Sequence, residues 1–397
     1  MILPMSAPDI TDAEIDAVTA VLRSAVLSGG KVTAAFEERF AAYVGTRYAI
    51  GVSSGTAGLH MAVVAAGVRD GDLVLTTPFS FVASANVVLY ERAVPVFVDI
   101  DPSTLNIDPA AAAAAVADLL RGGTAAEPWL PPAWRGGNAA GPLRALLPVH
   151  IFGVPLAMDR FVALARAHQL ALIEDACEAL GAFSGGRHAG THGDAAVFGF
   201  YPNKQMTTGE GGMIVTSRDD WASVLRSLRN QGRDESETWL RHVRLGYNYR
   251  MTAMSSALGL VQLGRLDELL AKRDQVARWY AQRLAGVEGV QLPVGPAPAA
   301  RRSWFVYVVR LGPGIDRDAV IGALQAVGID VRPYFTPIHL QPFYRERFGY
   351  RPGQFPITEA VARSTLAVPF FATMTEPQVE YVCQHLAAAV RQQLVRT

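Results

Sequence analysis

Between residues 49 and 217 the chain alternates two textures, and that alternation leaves few architectures open to it. Short apolar or β-rich runs stand at Ala49–Ser53, Leu73–Thr77, Pro95–Ile100, Leu146–Phe152, Leu170–Ala176, Ala195–Phe200 and Gly212–Thr216. Most are separated by segments whose apolar residues recur at three and four: Ala57–Val68, Ser80–Ala93, Pro109–Leu120 and Met158–His168. Strands alternating with helices predict a mainly parallel, seven-stranded sheet flanked by helices on both faces. The last two runs are joined by a loop too short to hold a helix, so one strand of that pair is expected to run antiparallel.

A different texture begins near Met251. The stretch to Leu284 reads as one long helix rich in Ala, Leu, Arg and Glu. A Pro-rich connector at 292–302 follows, then a strand (Trp304–Leu311), a helix (Arg317–Val327), a strand (Asp330–Tyr334) and two terminal helices. A chain of 397 residues exceeds what one core usually organises. The expected fold class is therefore α/β, with a large domain over 1–250 and a smaller C-terminal α/β domain over 251–397. Residues Arg121–Pro142, dense in Gly, Pro and Ala, read as a long surface loop. Trp129 and Trp134 leave open a lid or a subunit contact.

Lys+Arg and Asp+Glu are balanced at 36 each, which gives no reason to expect nucleic acid or an anionic membrane as partner. Cys177 and Cys383 are far apart, and no Cys/His cluster offers a metal site. The first residues lack a basic segment leading into an apolar one, and Ala110–Leu120 is too short to span a bilayer. A cytoplasmic enzyme with a small ligand is the expectation.

In open parallel sheets ligands sit beyond the carboxyl ends of the strands. Here those ends place Ser53–Thr56, Pro78–Phe81, His150, Asp175 and the loop holding Lys204. Gly55-Thr56-Ala57-Gly58 opens a helix, where unpaired N–H groups and the dipole suit a phosphate; the same residues would also serve as an ordinary cap. Asp175 ends an apolar strand, so its carboxylate needs a partner, either a helix terminus or a protonated ring nitrogen. Lys204 lies in a loop between apolar strands, where partial desolvation favours a nucleophilic amine over a plain solvated one. No Gly-Lys-Ser/Thr loop and no Gly-x-Gly-x-x-Gly turn is present, which argues against nucleotide triphosphates and dinucleotides. Together the phosphate cradle, Phe81, Asp175 and Lys204 describe a pyridoxal phosphate site.

The motifs Ser54-Gly55-Thr56-Ala57, Pro78–Ser84, Glu174–Ala182, Phe200–Gln205, Thr207–Gly212 and Gly246–Met251 follow one another in an order that resembles the DegT/DnrJ/EryC1/StrS sugar aminotransferases. That resemblance, over almost the whole chain, implies fold type I and dependence on pyridoxal 5′-phosphate. It implies transfer of an amino group, with glutamate as donor, to a nucleotide-linked keto sugar. By the same resemblance Thr56 and Ala57 would bind the phosphate, Phe81 would stack on the ring, Asp175 would hold the ring nitrogen and Lys204 would carry the aldehyde. Asn248 would reach the phosphate of a neighbouring subunit, making a homodimer with shared sites, and His339 would line the sugar site or serve in packing. Gly199 stands where many relatives place a phosphate-binding serine. Glu178, beside the ring hydroxyl, resembles relatives that make GDP-perosamine, a 4-amino-6-deoxy sugar. Relatives that act as dehydratases carry His in place of Lys204. Two other readings are a keto-cyclitol aminotransferase and a non-catalytic cofactor-binding regulator, but no separate basic DNA-binding helix is visible for the latter.

Overall fold

The computed structural model describes residues 2–136, 141–234, 240–296 and 300–395. Seven strands form the central sheet: β1 (Tyr48–Val52), β2 (Leu73–Thr76), β3 (Val94–Phe97), β4 (Leu143–Leu146), β5 (Ala171–Asp175), β8 (Ala195–Gly199) and β9 (Gly212–Thr216). Between β5 and β8 sits a small hairpin, β6 (Phe183–Ser184) with β7 (Arg187–His188). The spatial order is β1-β9-β8-β5-β4-β2-β3. The pairs β2–β3, β2–β4, β4–β5 and β5–β8 are parallel, and β9 runs antiparallel to both of its neighbours. The mainly parallel sheet and its single reversed strand thus match the expectation from the short 200–211 loop.

Period-two side-chain direction explains how the sheet buries both faces. Val74, Val197 and Ile214 point into one core, while Leu73, Leu75, Phe198, Met213 and Val215 point to the other side. Phe198 meets Phe40 edge-on at 5.3 Å, and truncating such a buried ring to Ala costs ~3–5 kcal/mol.

The C-terminal part forms a three-stranded antiparallel sheet, β10 (Val290–Gln291), β11 (Tyr307–Leu311) and β12 (Thr365–Val368). Its core gathers Tyr280, Tyr307, Leu324, Leu366 and Leu386, and the N-terminal Leu3 joins it through backbone bonds to Gly328 and Asp330. The connector's residues 297–299 and the insert's residues 137–140 lie outside the described residues.

Five expectations need correction, the first being that three helices, Pro342–Phe348, Pro356–Ser364 and Glu376–Leu394, close the chain where two were expected. The strand expected at Leu146–Phe152 ends at Leu146, and the following residues turn beneath the site because Phe152 and Gly153 take positive φ. The single helix expected from Met251 is two, Ala253–Gly264 and Leu266–Leu284. They are separated at Arg265, whose guanidinium is drawn to Asp9, Glu14 and Glu268. Asp330–Tyr334 forms no strand: it makes one isolated bridge, Arg332 to Ala367 of β12, a strand the sequence reading missed. The insert is not a plain surface loop: Ala126 and Leu130 are buried in the core, and Trp129 bonds through its indole N–H to Asp118 at 3.0 Å.

Candidate active site

The carboxyl ends of β1, β2, β5 and β8 open on a cavity of about 470 Å³, within the range of small-ligand pockets. Ser54, Gly55, Thr56, Phe81, Asp175, Glu178 and Lys204 all line it. These residues span 150 positions of sequence, and the parallel topology brings them together because every crossover helix returns its next strand in the same direction.

Asp175 ends β5 and is 4% exposed. Its Oδ1 accepts a bond from Cys177 N at 3.1 Å, and its Oδ2 accepts one from Ser84 Oγ at 2.7 Å. Ser84 is itself steadied by Ser80 at 2.9 Å. No helix starts at Asp175, so its carboxylate does not serve as a helix cap. Among the described residues it makes no ion pair within 4 Å, which leaves a buried anion facing the cavity without a cation.

Lys204 enters from the loop after β8, whose Tyr201 carbonyl accepts from Lys204 N at 2.9 Å. Its Nζ lies 3.8 Å from the centroid of the Phe305 ring and 4.0 Å from Glu178 Oε1. Glu178 is buried, and its other oxygen accepts from Phe152 N at 2.8 Å. Burial pushes the Glu178 carboxyl up to about 7, the nearby Asp175 adding to the rise while Lys204, the Phe152 N–H and Arg302 oppose it. The Phe152 peptide is shared: its carbonyl accepts from Arg302 Nε at 3.2 Å. Its φ of 53° is uncommon outside glycine and turns N–H and C=O toward these two partners.

The helix Gly55–Ala65 begins at the cavity wall with its first N–H groups free of intrahelical bonds. Ser54 Oγ caps it by accepting from Ala57 N at 3.0 Å. Thr56 lines the cavity, but Ala57 is buried just behind it, and a phosphate bonding to Ala57 N–H would share that group with Ser54. A side chain at position 55 would be crowded, since a Cβ there would stand 2.9 Å from Cys177 Sγ and 3.3 Å from Gly199 Cα. Gly199 has room: a Cβ there would meet Cys177 at ordinary contact distance.

Three residues singled out in the sequence lie elsewhere. His150 is buried, accepts from Leu156 N at 3.1 Å through Nδ1, and therefore presents Nε2–H to Glu174 at 3.0 Å. Glu174 also accepts from the N–H groups of Gly190, His192 and Gly193. Burial raises its pKa, but these bonds outweigh it and hold the carboxyl below its ordinary value. His339 is wholly buried against Phe355 and paired with Glu359 at 3.1 Å, away from the cavity lining, which is a packing environment. Asn248 is exposed and lines no part of its own chain's cavity. It is presented between Tyr247 and Tyr249, whose rings stack at 5.0 Å against His60.

Other lining residues were given no site role from the sequence: Cys177, Tyr201, Glu210, Phe305, Tyr334 and Phe335. Ser84 was within reach, since Ser80 and Ser84 stand one helical turn apart just after a strand end. Phe305 gives no local signal, because only tertiary packing sets its ring beneath Lys204.

The cavity fits pyridoxal phosphate on its own chemistry. An uncompensated buried carboxylate suits a protonated ring nitrogen, a free helix N-terminus suits a monoester phosphate, and the Lys204 amine lines the same cavity, where it can condense with an aldehyde. Phe81 and Tyr201, 60% and 53% exposed, form an aromatic rim.

Comparison with known proteins agrees with this chemistry. Residues 8–387 match the family profile described as the DegT/DnrJ/EryC1/StrS aminotransferase family. The chain is 38% identical over 383 residues to GDP-perosamine synthase of Caulobacter vibrioides, covering 96% of each. Among solved structures, DesV of S. venezuelae aligns with a TM-score of 0.84 and 32% identity over 98% of each chain. Spr1654 of Streptococcus pneumoniae, solved in a PLP form, aligns with a TM-score of 0.87 over 99% of each chain at 24% identity, a likeness of fold. Among the described residues no helix is long and apolar enough to cross a membrane, and no group of His, Cys, Asp or Glu is arranged to hold a metal.

Proposed function

We propose that this chain, which belongs to the DegT/DnrJ/EryC1/StrS aminotransferase family and is thus a pyridoxal-phosphate-dependent sugar aminotransferase, moves an amino group from glutamate to a nucleotide-linked 4-keto-6-deoxy hexose. The observation that carries the reading is Lys204 and Asp175 lining one cavity whose wall is the open N-terminus of the helix Gly55–Ala65. The 38% identity to a GDP-perosamine synthase supports the sugar class.

When bound, pyridoxal phosphate supplies an aldehyde and a conjugated ring able to store the electron pair left when a C–H bond breaks. The protein's part is as follows. Lys204 Nζ would hold the aldehyde carbon and would serve as the base and acid that moves a proton between the donor's α-carbon and C4′. Asp175, fixed by Ser84 and the Cys177 N–H, would keep the proton on the ring nitrogen. Thr56, with the first N–H groups of its helix, would hold the phosphate, and Phe81 would stack on the ring. Glu178 sits beside the amine and can hold a proton near neutral pH. Asn248, exposed outside its own cavity, would reach the phosphate of a second copy, making the active form a homodimer; the exposed Leu245, three residues before it, supports a covered surface here.

The test is to incubate the holoenzyme with glutamate and a panel of keto sugar nucleotides and to weigh the products, alongside borohydride trapping and peptide mapping. The cofactor should be trapped on Lys204 and lost in Lys204→Ala. Trapping on another lysine, or no aminated sugar from any nucleotide, defeats the reading.

A further inference from the structure

One buried cation takes no part in the chemistry described so far. Arg273 lies midway along the helix Leu266–Leu284 and is 3% exposed, yet among the described residues no carboxylate lies within 4 Å of it. A buried, unpaired guanidinium is costly, so it persists where its geometry is used. Burial lowers its pKa to about 10, which leaves it a cation at neutral pH.

Its hydrogen bonds all go to main-chain carbonyls, and they fall in two groups. Nη2 donates to the carbonyl of Lys204 at 2.6 Å and to that of Asn203 at 3.4 Å. Nη1 donates to the carbonyl of Phe305 at 3.2 Å and to that of Trp304 at 3.5 Å. The first pair carries the active-site lysine, and the second carries the ring over which that lysine's amine rests at 3.8 Å. A second stitch joins the same two segments, from Gln205 Nε2 to Ser303 Oγ at 3.0 Å. The helix is placed to do this: its N-terminal Leu266, Leu269 and Leu270 pack into the core beneath the lysine loop, and Val276, Tyr280 and Leu284 pack into the C-terminal core. Arg273 stands between them. Only a planar fork with donors on both arms can reach both segments at once.

We propose that Arg273 is a positioning residue for Lys204, clamping the main chain that carries the lysine to the main chain that carries Phe305 and so fixing the height of the amine at the cavity wall. This rests on the reading of Lys204 as the residue that holds the cofactor aldehyde.

Arg273→Met and Arg273→Lys test it. Three quantities are read: the visible circular dichroism of bound pyridoxal phosphate, the acetic anhydride labelling of Lys204 relative to Lys31 in the apoprotein, and the thermal midpoint. With the clamp gone the amine leaves the Phe305 face, so Lys204 labelling rises about tenfold in Arg273→Met, and the dichroism per bound cofactor falls about twofold or more. Lysine keeps the charge but has no fork, so Arg273→Lys should regain part of the thermal midpoint and neither of the other two signals. A purely structural role predicts the reverse: both variants melt earlier, with dichroism and labelling unchanged in whatever folds. That result overturns the proposal, and so does failure of both variants to fold, since a positioning role is separable from folding. Peptide mapping of the borohydride adduct in the parent enzyme settles the premise separately: an adduct away from Lys204 removes the functional reading before Arg273 is tested.

Discussion

Asp175→Asn separates stability from catalysis at one buried position. In the folded protein the carboxylate accepts from Cys177 N at 3.1 Å and from Ser84 Oγ at 2.7 Å. An amide oxygen keeps the first bond. At the second, the amide NH₂ turns donor and the Ser84 hydroxyl, which can rotate, becomes acceptor. The exchange replaces charge-assisted bonds by neutral ones and leaves no group unpaired, so the apoprotein should lose only ~0–1.5 kcal/mol. Catalysis depends on the charge instead. A neutral amide cannot hold a proton on the ring nitrogen, and removing a preorganised partner of developing charge costs ~3–4 kcal/mol in the transition state. At ~1.4 kcal/mol per factor of ten, the half-reaction with glutamate should slow at least ~100-fold. The assay is stopped-flow absorbance of the bound cofactor after mixing with glutamate, beside a thermal melt of the apoprotein. A variant that binds cofactor and keeps a near-normal half-reaction refutes the assignment; one that fails to fold refutes the hydrogen-bond reasoning.

Three further outcomes are expected. Glu178 has its pKa raised from 4.5 to about 7 in the folded state, so the stability it contributes is complete below 4.5 and lost as pH rises through 7. The apoprotein should be weaker at about pH 8 than at about pH 5 by up to ~3 kcal/mol from this group, and urea melts of Glu178→Gln should show that part of the slope removed. Mixing inactive Lys204→Ala and Asn248→Ala subunits should restore activity through the one intact hybrid site; exchange confirmed by mass spectrometry without recovery rules out a role for Asn248 across the interface. Gly55→Ala places a methyl 2.9 Å from Cys177 Sγ, which should cost ~1–3 kcal/mol and weaken cofactor binding. Adding Cys177→Ala should return part of that loss, and strict additivity in the two melts would exclude the clash.

What the sequence made legible is what local rules govern. The strand–helix alternation, the reversed β9 and the grouping of Thr56, Phe81, Asp175 and Lys204 follow from periodicity and from the rule that ligands sit at strand carboxyl ends. The misses have non-local causes. The helix break at Arg265 is set by carboxylates from Asp9 and Glu14, some 250 positions away, which no window on the helix contains. β12 is short, and Thr365–Val368 follows directly on the helix Pro356–Ser364, so no turn signal separates the two. His339 carried an ambiguous signal, and its burial against Phe355 and Glu359 answers to packing rather than to the cavity.

The two ends of the site are therefore specified by different means. The wall proposed for the ring nitrogen and phosphate is local: Asp175, Ser84 and Ser54–Thr56 sit on strand ends and first helical turns, and their placement follows from the sheet. The amine end is assembled from distant segments. Phe305 supplies the face beneath Nζ, Arg302 reaches Glu178 through the Phe152 peptide, and Arg273 ties the lysine loop to Phe305. All three come from the C-terminal part of the chain, beyond every motif that identifies the site. If the proposed roles hold, substitutions at 302–305 should change the chemistry of Lys204 while leaving cofactor affinity largely intact. Phe305→Leu makes the point directly: it keeps the main-chain carbonyl that Arg273 binds and removes only the aromatic face. Its half-reaction with glutamate should change while the affinity for pyridoxal phosphate stays near the parent's. Loss of affinity with an unaltered rate in the bound fraction would show that the two ends are not independent.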